Sequence, residues 1–445
     1  MRTLTHGIQR WKLRRFDDRP IQDTEARQVR WEGDGVWRDR DFRIFFVGHA
    51  LSFVGVQVGA VALPLVALLT LGSSEAEVGL LQACAKLPYL GIPLLAGVYV
   101  DRRRKRPVMI RANAVRAAAL LAIPIIGWWG GLSLPLLCVL AVVVGTCAMV
   151  FEVAELAYVP SLVGRDRLTS ANSATVASIG AADLGGPGLG GVLVQVLGPA
   201  WTVGANGLTC LLSVLTLSRL RHVETSPPPR ERRDLWAELV EGLRAVLDEA
   251  RMRGIAFQGL VFNLFHQGFL VSFLLLAVGA GGVGPGWYGL LLGIDGGGAM
   301  VGAALTRRWA ARLGYGRAFL TGALLGTVPC VAVPLLAAAP DPWRLGAWVV
   351  LFGIAGFGTG MILVIGFTLR QAFTPDHLLG RMNASMRQLL YAGIPVGAAG
   401  AGLLASAIGA RLTVLVSAVG LVTSVPFVLR LVSLGELPHP DASQR

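Results

Sequence analysis

Charged residues are scarce in this chain. Asp, Glu, Lys and Arg make up only 15% of its 445 residues, and hydrophobic residues make up 54%, whereas an average soluble domain carries about 25% charged residues. Apolar runs of roughly 20 residues recur along the chain, and that is the length needed to cross the hydrocarbon core of a bilayer. The shortage of charge therefore argues against a soluble protein and favours an all-α integral membrane protein.

Cysteine is also rare, and the common catalytic signatures are missing. The five cysteines fall inside apolar segments and form no C-x-x-C pair, which predicts free buried thiols and neither a disulfide framework nor a metal site. The sequence has no Walker P-loop, no H-E-x-x-H and no G-x-S-x-G. We therefore expect no enzyme activity, no cofactor and no ATP-driven transport.

Positive charge is in excess, but it falls in short clusters. The formal net charge is +13, and the densest cluster is the run Arg102–Arg106 between two apolar segments. Cations on one soluble face would indicate nucleic-acid binding, whereas clusters between apolar segments are typical of loops that set membrane topology. We expect contact with a lipid bilayer and no nucleic-acid partner.

The apolar segments form two groups of six, related by a weak internal repeat. This pattern predicts twelve transmembrane helices in two pseudo-symmetric six-helix halves. The predicted spans lie at roughly 44–70, 79–100, 108–130, 133–156, 171–197, 200–219, 255–279, 287–306, 317–338, 344–367, 385–408 and 411–434. The predicted domains are a tail over 1–43, an N-terminal bundle over 44–219, a linker with an amphipathic helix over 220–254, a C-terminal bundle over 255–434 and a tail over 435–445.

The loops between these spans alternate in charge. One set holds the cation clusters, while the other holds only two cations, Arg344 and Arg411. By the positive-inside rule, the cation-rich loops face the cytoplasm. Both termini are therefore predicted to be cytoplasmic in a multi-pass protein of the plasma membrane, and the charged N-terminal tail is not predicted to be a secretory signal.

Several stretches resemble the major facilitator superfamily of transporters. Gly97–Arg106, G-V-Y-V-D-R-R-R-K-R, is similar to its loop motif between the second and third helices. Arg104 stands where that motif usually has glycine, which is similar to the enterobactin-exporter and macrolide-efflux branch. Asp41–Ser52 and Trp236–Arg244 are similar to the same branch, and Gly186–Gly191 resembles the core of the drug-antiporter motif.

The resemblance implies a transporter that alternates between two conformations. In the conformation that is closed to the cytoplasm, Glu155 of the fourth helix would pair with a loop cation such as Arg104; the alternative role for Glu155 is to carry a proton. Asp101 would then lie at the start of the eleventh helix, near Asn383–Ser385, where the helix dipole favours an anion. The cytoplasmic gate implied in this way consists of Gly97, Asp101, Arg102, Arg104, Lys105, Arg106 and Glu155.

Ionisable side chains inside the spans are costly, at about 2.5–3.5 kcal/mol each at a helix centre, so each needs a partner or a cavity. Asp183 is our first candidate for binding and releasing a proton; the alternative is a permanent hydrogen bond to a neighbouring helix. Asp295, Glu152 and His266 are further candidates for proton coupling. Lys86, the only lysine within a span, would either reach the acidic loop before it or pair with an acid in the cavity.

Two further groups of residues are candidates for transport roles. In the fifth helix Gly186, Pro187, Gly190 and Gly191 form either a hinge, as the resemblance implies, or plain close packing, because small residues permit close contact and proline permits a bend. In the implied fold the first, fourth, seventh and tenth helices line the central path. The candidates for lining that cavity are His49, Gln57, Asn263 and Gln267.

These residues and the resemblance together predict a secondary active transporter. We expect a monomer that uses the proton gradient to export a hydrophobic or amphipathic small molecule, such as a drug, a siderophore or a secondary metabolite. One alternative is uptake of a polar solute, against which the small number of Arg and Lys in the spans argues. The other is a non-transporting sensor or partner-binding protein, which would not need titratable groups inside its spans.

Overall fold

A computed structural model describes residues 35–222, 224, 243–244, 246–374 and 379–433. Within these ranges the chain is almost entirely helical and has no β-strand. The all-α prediction is therefore confirmed. The predicted tails, apart from residues 35–43, and the amphipathic helix of the linker, apart from a few residues at its end, lie outside the described ranges, and the domain boundaries stay predictions.

Fourteen α-helices follow one another along the described chain. They are α1 (Arg40–Leu65), α2 (Glu75–Lys86), α3 (Ile92–Asp101), α4 (Lys105–Trp128), α5 (Leu134–Val163), α6 (Leu168–Leu197), α7 (Pro199–Ser218), α8 (Ala250–Leu274), α9 (Pro285–Leu313), α10 (Tyr315–Leu335), α11 (Trp343–Phe373), α12 (Leu379–Ile408), α13 (Ala410–Val422) and α14 (Val425–Ser433). Short π-helical turns extend α1 through Thr70 and α8 through Ala280.

Local sequence explains where the first two helices begin. Asp39 caps α1, because its carboxylate accepts hydrogen bonds from the backbone N–H groups of Asp41 (2.9 Å) and Phe42 (3.3 Å). The first span therefore starts at Arg40, a few residues before the predicted start. At α2, Ser74 and Glu77 form a capping box, in which the Glu77 carboxylate accepts from the Ser74 backbone N–H at 2.7 Å.

Ten helical segments in the described ranges are long and apolar enough to cross a membrane, against twelve predicted spans. An eleventh is the pair α2–α3, which bends by 51° across the turn Leu87–Leu90. Pro88 lies in this turn and has no N–H to continue the helix, which accounts for the break. The helix α6 has 30 residues, enough to span, but it is rich in Gly, Ala and Ser and is not among the ten.

The same helix pairs pack together in both halves of the chain. In the first half α1 contacts α6 and α7, and α4 contacts α5 and α7; in the second half α8 contacts α12 and α13, and α10 contacts α11 and α13. The pairing follows the weak sequence repeat. The halves are joined mainly by α6 with α9 and by α2 with α12.

We name the face of the bundle where α1 begins the terminal face, and the face where α1 ends the distal face. The joining helices are in close contact toward the distal face. A Cβ on Gly293 of α9 would lie 2.6 Å from the Leu184 carbonyl oxygen of α6, and a Cβ on Gly402 of α12 would lie 2.6 Å from Gly79 Cα of α2. Glycine is required at these positions because the two backbones approach directly.

Candidate functional site

Two large cavities lie in the terminal half of the bundle, one in each half of the chain. The first-half cavity has a volume of about 520 Å³ and is lined by α1, α4, α5, α6 and the break between α2 and α3. The second-half cavity has a volume of about 550 Å³ and is lined by α8, α11 and α12. Each volume falls in the range typical of small-molecule sites.

Both cavities are open, although the distal face is closed. The first-half cavity reaches Leu168 and Asn172 at the start of α6, and the second-half cavity reaches Arg370 near the end of α11, so both extend to the terminal face. The backbone contacts of α6 with α9 and of α2 with α12 close the opposite end. The chain is therefore in a conformation that is open toward the terminal face.

An ion pair between the two halves lies where the cavities meet. Glu152 of α5 accepts a hydrogen bond from Arg387 Nη2 of α12 at 2.8 Å; Glu152 lines the first-half cavity and Arg387 the second. Beside it, the rings of Tyr89 and Tyr391 meet edge to face, with centroids 5.6 Å apart. We call Glu152–Arg387 the inter-half ion pair.

A second acid of α5, Glu155, lies against a histidine of α1. His49 Nδ1 is 2.5 Å from Glu155 Oε1, and both side chains are largely buried. The imidazole packs between Phe45 and Phe53, with ring centroids 6.1 and 5.8 Å away. His49 and Glu155 thus form an acid–base pair that lines the first-half cavity, with aromatic rings on both sides of the histidine.

Asp183 in the middle of α6 has a neutral partner. Its carboxylate accepts a hydrogen bond from Gln57 Nε2 of α1 at 2.7 Å. The backbone carbonyl of Asp183 receives no helical hydrogen bond from Pro187, four residues later, because proline has no N–H. That carbonyl oxygen lies against Gly296 of α9, where a Cβ would come within 2.5 Å of it. Asp183 therefore joins α1, α6 and α9 at one place.

Asp295 and His266 line one small cavity of about 10 Å³ among α8, α9, α10 and α11. That volume is about the size of one water molecule. The His266 ring is stacked on Phe262 at 5.2 Å and also lines the second-half cavity. Two of the four candidates for proton coupling therefore adjoin one another in the second half, and the other two, Asp183 and Glu152, lie in the first.

The sequence pattern of one protein family matches this chain over residues 36–444, nearly its whole length. The family is described as transmembrane secretion effectors of the major facilitator type. The chain belongs to this family. It is 28% identical to the enterobactin exporter EntS of Salmonella choleraesuis over 415 residues, which are 89% of this chain and 92% of the relative. It is 30% identical to the multidrug efflux pump Tap of Mycolicibacterium fortuitum over 353 residues, 77% and 84% of the two chains.

Solved structures share the fold. A bacterial homologue of the iron transporter ferroportin in its inward-facing state gives a TM-score of 0.71 at 14% identity, over 88% of this chain and 98% of that one. A bacterial ferroportin homologue in the outward-facing state gives 0.57 at 16% identity, over 89% and 100%.

The loop motif of this secretion effector holds helix ends together. Glu224 accepts hydrogen bonds from the backbone N–H groups of Lys105 and Arg106, each at 2.9 Å, and so caps α4. The Arg106 guanidinium donates to the Leu217 and Ser218 carbonyls, each at 2.8 Å, and so caps α7. Sequence reasoning missed this capping role, because Glu224 is more than a hundred residues away.

The residues of the predicted gate lie at helix ends and on the wall of the first-half cavity. Glu155 lies against His49, while Arg104 is at the cap position of α4 and Asp101 is the last residue of α3. A Cβ on Gly97 would meet no atom within 4 Å. The gate was predicted for the conformation closed to the cytoplasm, so the pairing of Arg104 with Glu155 and the place of Asp101 near Asn383–Ser385 stay predictions, as do the roles of Arg102 and Lys105.

The glycine motif of α6 is closely packed here. A Cβ on Gly186 would lie 2.5 Å from Gln57 Cβ, and one on Gly190 would lie 3.1 Å from the Val58 backbone. A Cβ on Gly191 would collide with Pro285 O and lie 3.0 Å from Gly286 Cα. The helix runs unbroken from Leu168 to Leu197 through the buried Pro187. Close packing is what this conformation uses, and the hinge role stays a prediction.

The four candidates for lining the central path all adjoin cavities. His49 and Gln57 line the first-half cavity, and Asn263 lines the second-half cavity, although its amide donates to the Gly259 carbonyl of its own helix at 2.8 Å. Gln267 lines a third cavity of about 210 Å³, which adjoins the first-half cavity and is formed by both halves.

Although the predicted spans contain few Arg and Lys, four cations line the first- and second-half cavities: Lys86, Arg116, Arg370 and Arg387. Arg370 lies beyond the predicted span 344–367, but α11 extends to Phe373 and includes it. Arg116 and Arg387 lie within predicted spans. Because a cation inside an apolar span needs a partner or a cavity, their positions alone could have predicted that they line one. Lys86 lies over the Tyr89 ring, 5.6 Å from its centroid.

Proposed function

We propose that the chain exports a hydrophobic or amphipathic small molecule across the plasma membrane by alternating access, using the proton gradient. The observation that carries this proposal is a pair of cavities open to one face and closed to the other, in a chain of the secretion effector family. Two relatives in this family are named as exporters of a siderophore and of drugs. A drug, a siderophore or another secondary metabolite is the proposed cargo.

The terminal face is proposed to be the cytoplasmic one. The cation cluster Arg102–Arg106 lies between α3 and α4 on that face, Arg165 and Arg167 follow α5, and α9 ends with Arg307, Arg308 and Arg312. In this orientation both termini are cytoplasmic, and the open cavities face the cytoplasm. A cargo molecule would enter from the cytoplasm or the inner leaflet.

The transport cycle is proposed to rock the bundle 44–219 against the bundle 255–434 about the cavities. Asp183 is the proposed proton carrier. It lies on α6, which is one of the helices that join the halves, and it accepts a hydrogen bond from the neutral Gln57. Protonation of Asp183 removes a charge at the place where α1, α6 and α9 meet. The preferred conformation of the halves would change as a result.

The test is efflux of preloaded dyes and drugs from cells that lack their own exporters, with and without a proton uncoupler. We expect efflux that stops with the uncoupler. Asp183→Asn keeps a side chain that can accept from Gln57, but it cannot carry a proton, so coupled efflux should be lost at normal membrane levels. Asp166→Asn, at an exposed acid of the loop before α6, is the control and should leave efflux unchanged. Efflux that ignores the uncoupler, or that survives Asp183→Asn, would contradict the proposal.

One observation favours a second function, uptake of a polar anionic solute. The four cations on the cavity walls can bind an anion moving in either direction. The same cells distinguish the two functions, because an importer raises the amount of an external solute in the cell and an exporter lowers it.

A further inference from the structure

The cavity walls carry more positive than negative charge. Four cations line the first- and second-half cavities, against two acids, Glu152 and Glu155. Glu152 is paired with Arg387, and Glu155 lies against His49. In the described part of the chain no carboxylate pairs with Lys86, Arg116 or Arg370. Unpaired cations in a membrane-embedded cavity are costly, so an anionic ligand would stabilise them.

Two of these arginines carry unused donors. Arg116 is only 4% exposed, and its Nε has no hydrogen-bond partner among the described residues. The buried Arg387 Nε is likewise without a partner there, and the guanidinium holds Glu152 through Nη2 alone. A planar guanidinium favours two parallel hydrogen bonds to one carboxylate. The inter-half ion pair therefore leaves part of the binding capacity of Arg387 unused.

Much of the remaining cavity surface is apolar. Phe53, Met149 and Leu156 line the first-half cavity, and Ile362, Leu363 and Phe367 line the second. The Arg387 guanidinium also lies 5.6 Å from the centroid of the Tyr391 ring. A ligand that matched both the unpaired cations and the apolar lining would combine an apolar body with one acidic group.

We propose that an amphipathic organic anion binds where the first- and second-half cavities meet. Its acidic group competes with Glu152 for Arg387. The inference rests on the proposed function and adds a substrate class to it. Binding of the anion frees Glu152 and breaks the inter-half ion pair. Cargo binding is therefore linked to the release of one contact that holds α5 to α12, and the halves can then move.

The test uses the purified full-length protein in nanodiscs of neutral lipid and three probes with one aromatic body. The probes are 2-naphthoate, 2-naphthamide and 2-naphthylmethylammonium, and binding is measured by calorimetry. We expect the anion to bind at least about tenfold more tightly than the cation. Arg387→Gln should weaken binding of the anion about tenfold or more and leave the neutral amide unchanged, because the charge pair between the ligand and Arg387 is lost.

The decisive variant is Glu152→Gln, because it removes the competing carboxylate. Binding of 2-naphthoate should become tighter, by about tenfold, while Arg111→Gln, at an exposed arginine of α4, should change nothing. Tighter or equal binding of the cation by the wild type, or weaker binding of the anion by Glu152→Gln, would overturn the proposal. An unchanged thermal unfolding temperature shows that each variant is folded.

This binding measurement needs no gradient and no efflux. If dyes are exported but the naphthoate series shows no preference for the anion, the substrate class is wrong and the proposed function stands. If the anion binds as expected but nothing is exported, the site stands and the proposed function fails.

Discussion

The closed distal face depends on a contact that one methyl group would break. Gly402 of α12 lies against Gly79 and Glu75 of α2. In Gly402→Ala, the new Cβ would lie 2.6 Å from Gly79 Cα, 2.8 Å from the Glu75 carbonyl oxygen and 3.0 Å from Gly79 N. Ordinary contact begins at 3.4 Å, so the shortest of these distances is about 0.8 Å too small. All three neighbours are backbone atoms, so no side chain can rotate away and the helices must separate.

Overpacking of this kind costs about 1–3 kcal/mol. The cost applies to the conformation with the closed distal face, so the equilibrium should shift toward a distal-open conformation by about 5- to 150-fold. Gly400→Ala is the matched control. It lies on the same helix and gains the same helix propensity, but its Cβ would meet nothing within 4 Å.

The assay measures the distance between spin labels on the distal face of the two halves. Cysteines would be placed at Ser133, before α5, and at Ala338, after α10, in a variant whose five native cysteines are replaced by alanine. Gly402→Ala should increase the population with the longer distance, and Gly400→Ala should not. Identical distance distributions for the two variants would refute the packing argument.

Two further predictions concern stability. Glu224→Ala removes the acceptor for two backbone N–H groups at the start of α4. It should lower the free energy of unfolding by about 1 kcal/mol or more, and with it the thermal unfolding temperature. Asp166→Ala is the control, and equal unfolding temperatures for the two variants would contradict the capping role. Trp348→Phe keeps a buried aromatic ring but removes the hydrogen bond from Trp348 Nε1 to the Val333 carbonyl at 3.0 Å. We expect a loss of about 1–3 kcal/mol in the same assay, and no loss would show that the bond contributes nothing.

Much of the fold follows from local features of the sequence. The runs of apolar residues place most helices within a few residues of their observed positions, and Asp39 and Pro88 explain one helix start and one break through their own backbone chemistry. These inferences need only the length, hydropathy and periodicity of each segment. The expectation that His49, Gln57, Asn263 and Gln267 lie near a cavity came from the resemblance, which implies which helices line the central path.

The partners of the site residues could not be found in the same way. Gln57 and Asp183 are 126 positions apart, and Glu152 and Arg387 are 235 apart. Glu155 was expected beside Arg104, but in this conformation it lies against His49. Which of several acids meets which base depends on how each helix is rotated about its axis and on which conformation the two halves adopt.

The sequence by itself determined that this protein is a helical membrane protein with basic loops on one face, because hydrophobicity and charge act on each segment separately. Only the tertiary structure decided that Lys86, Arg116, Arg370 and Arg387 line the cavities and that one of them joins the halves. An arginine in an apolar helix can face lipid headgroups, a neighbouring helix or a cavity. The choice among these is fixed by the packing of helices that are distant in the chain.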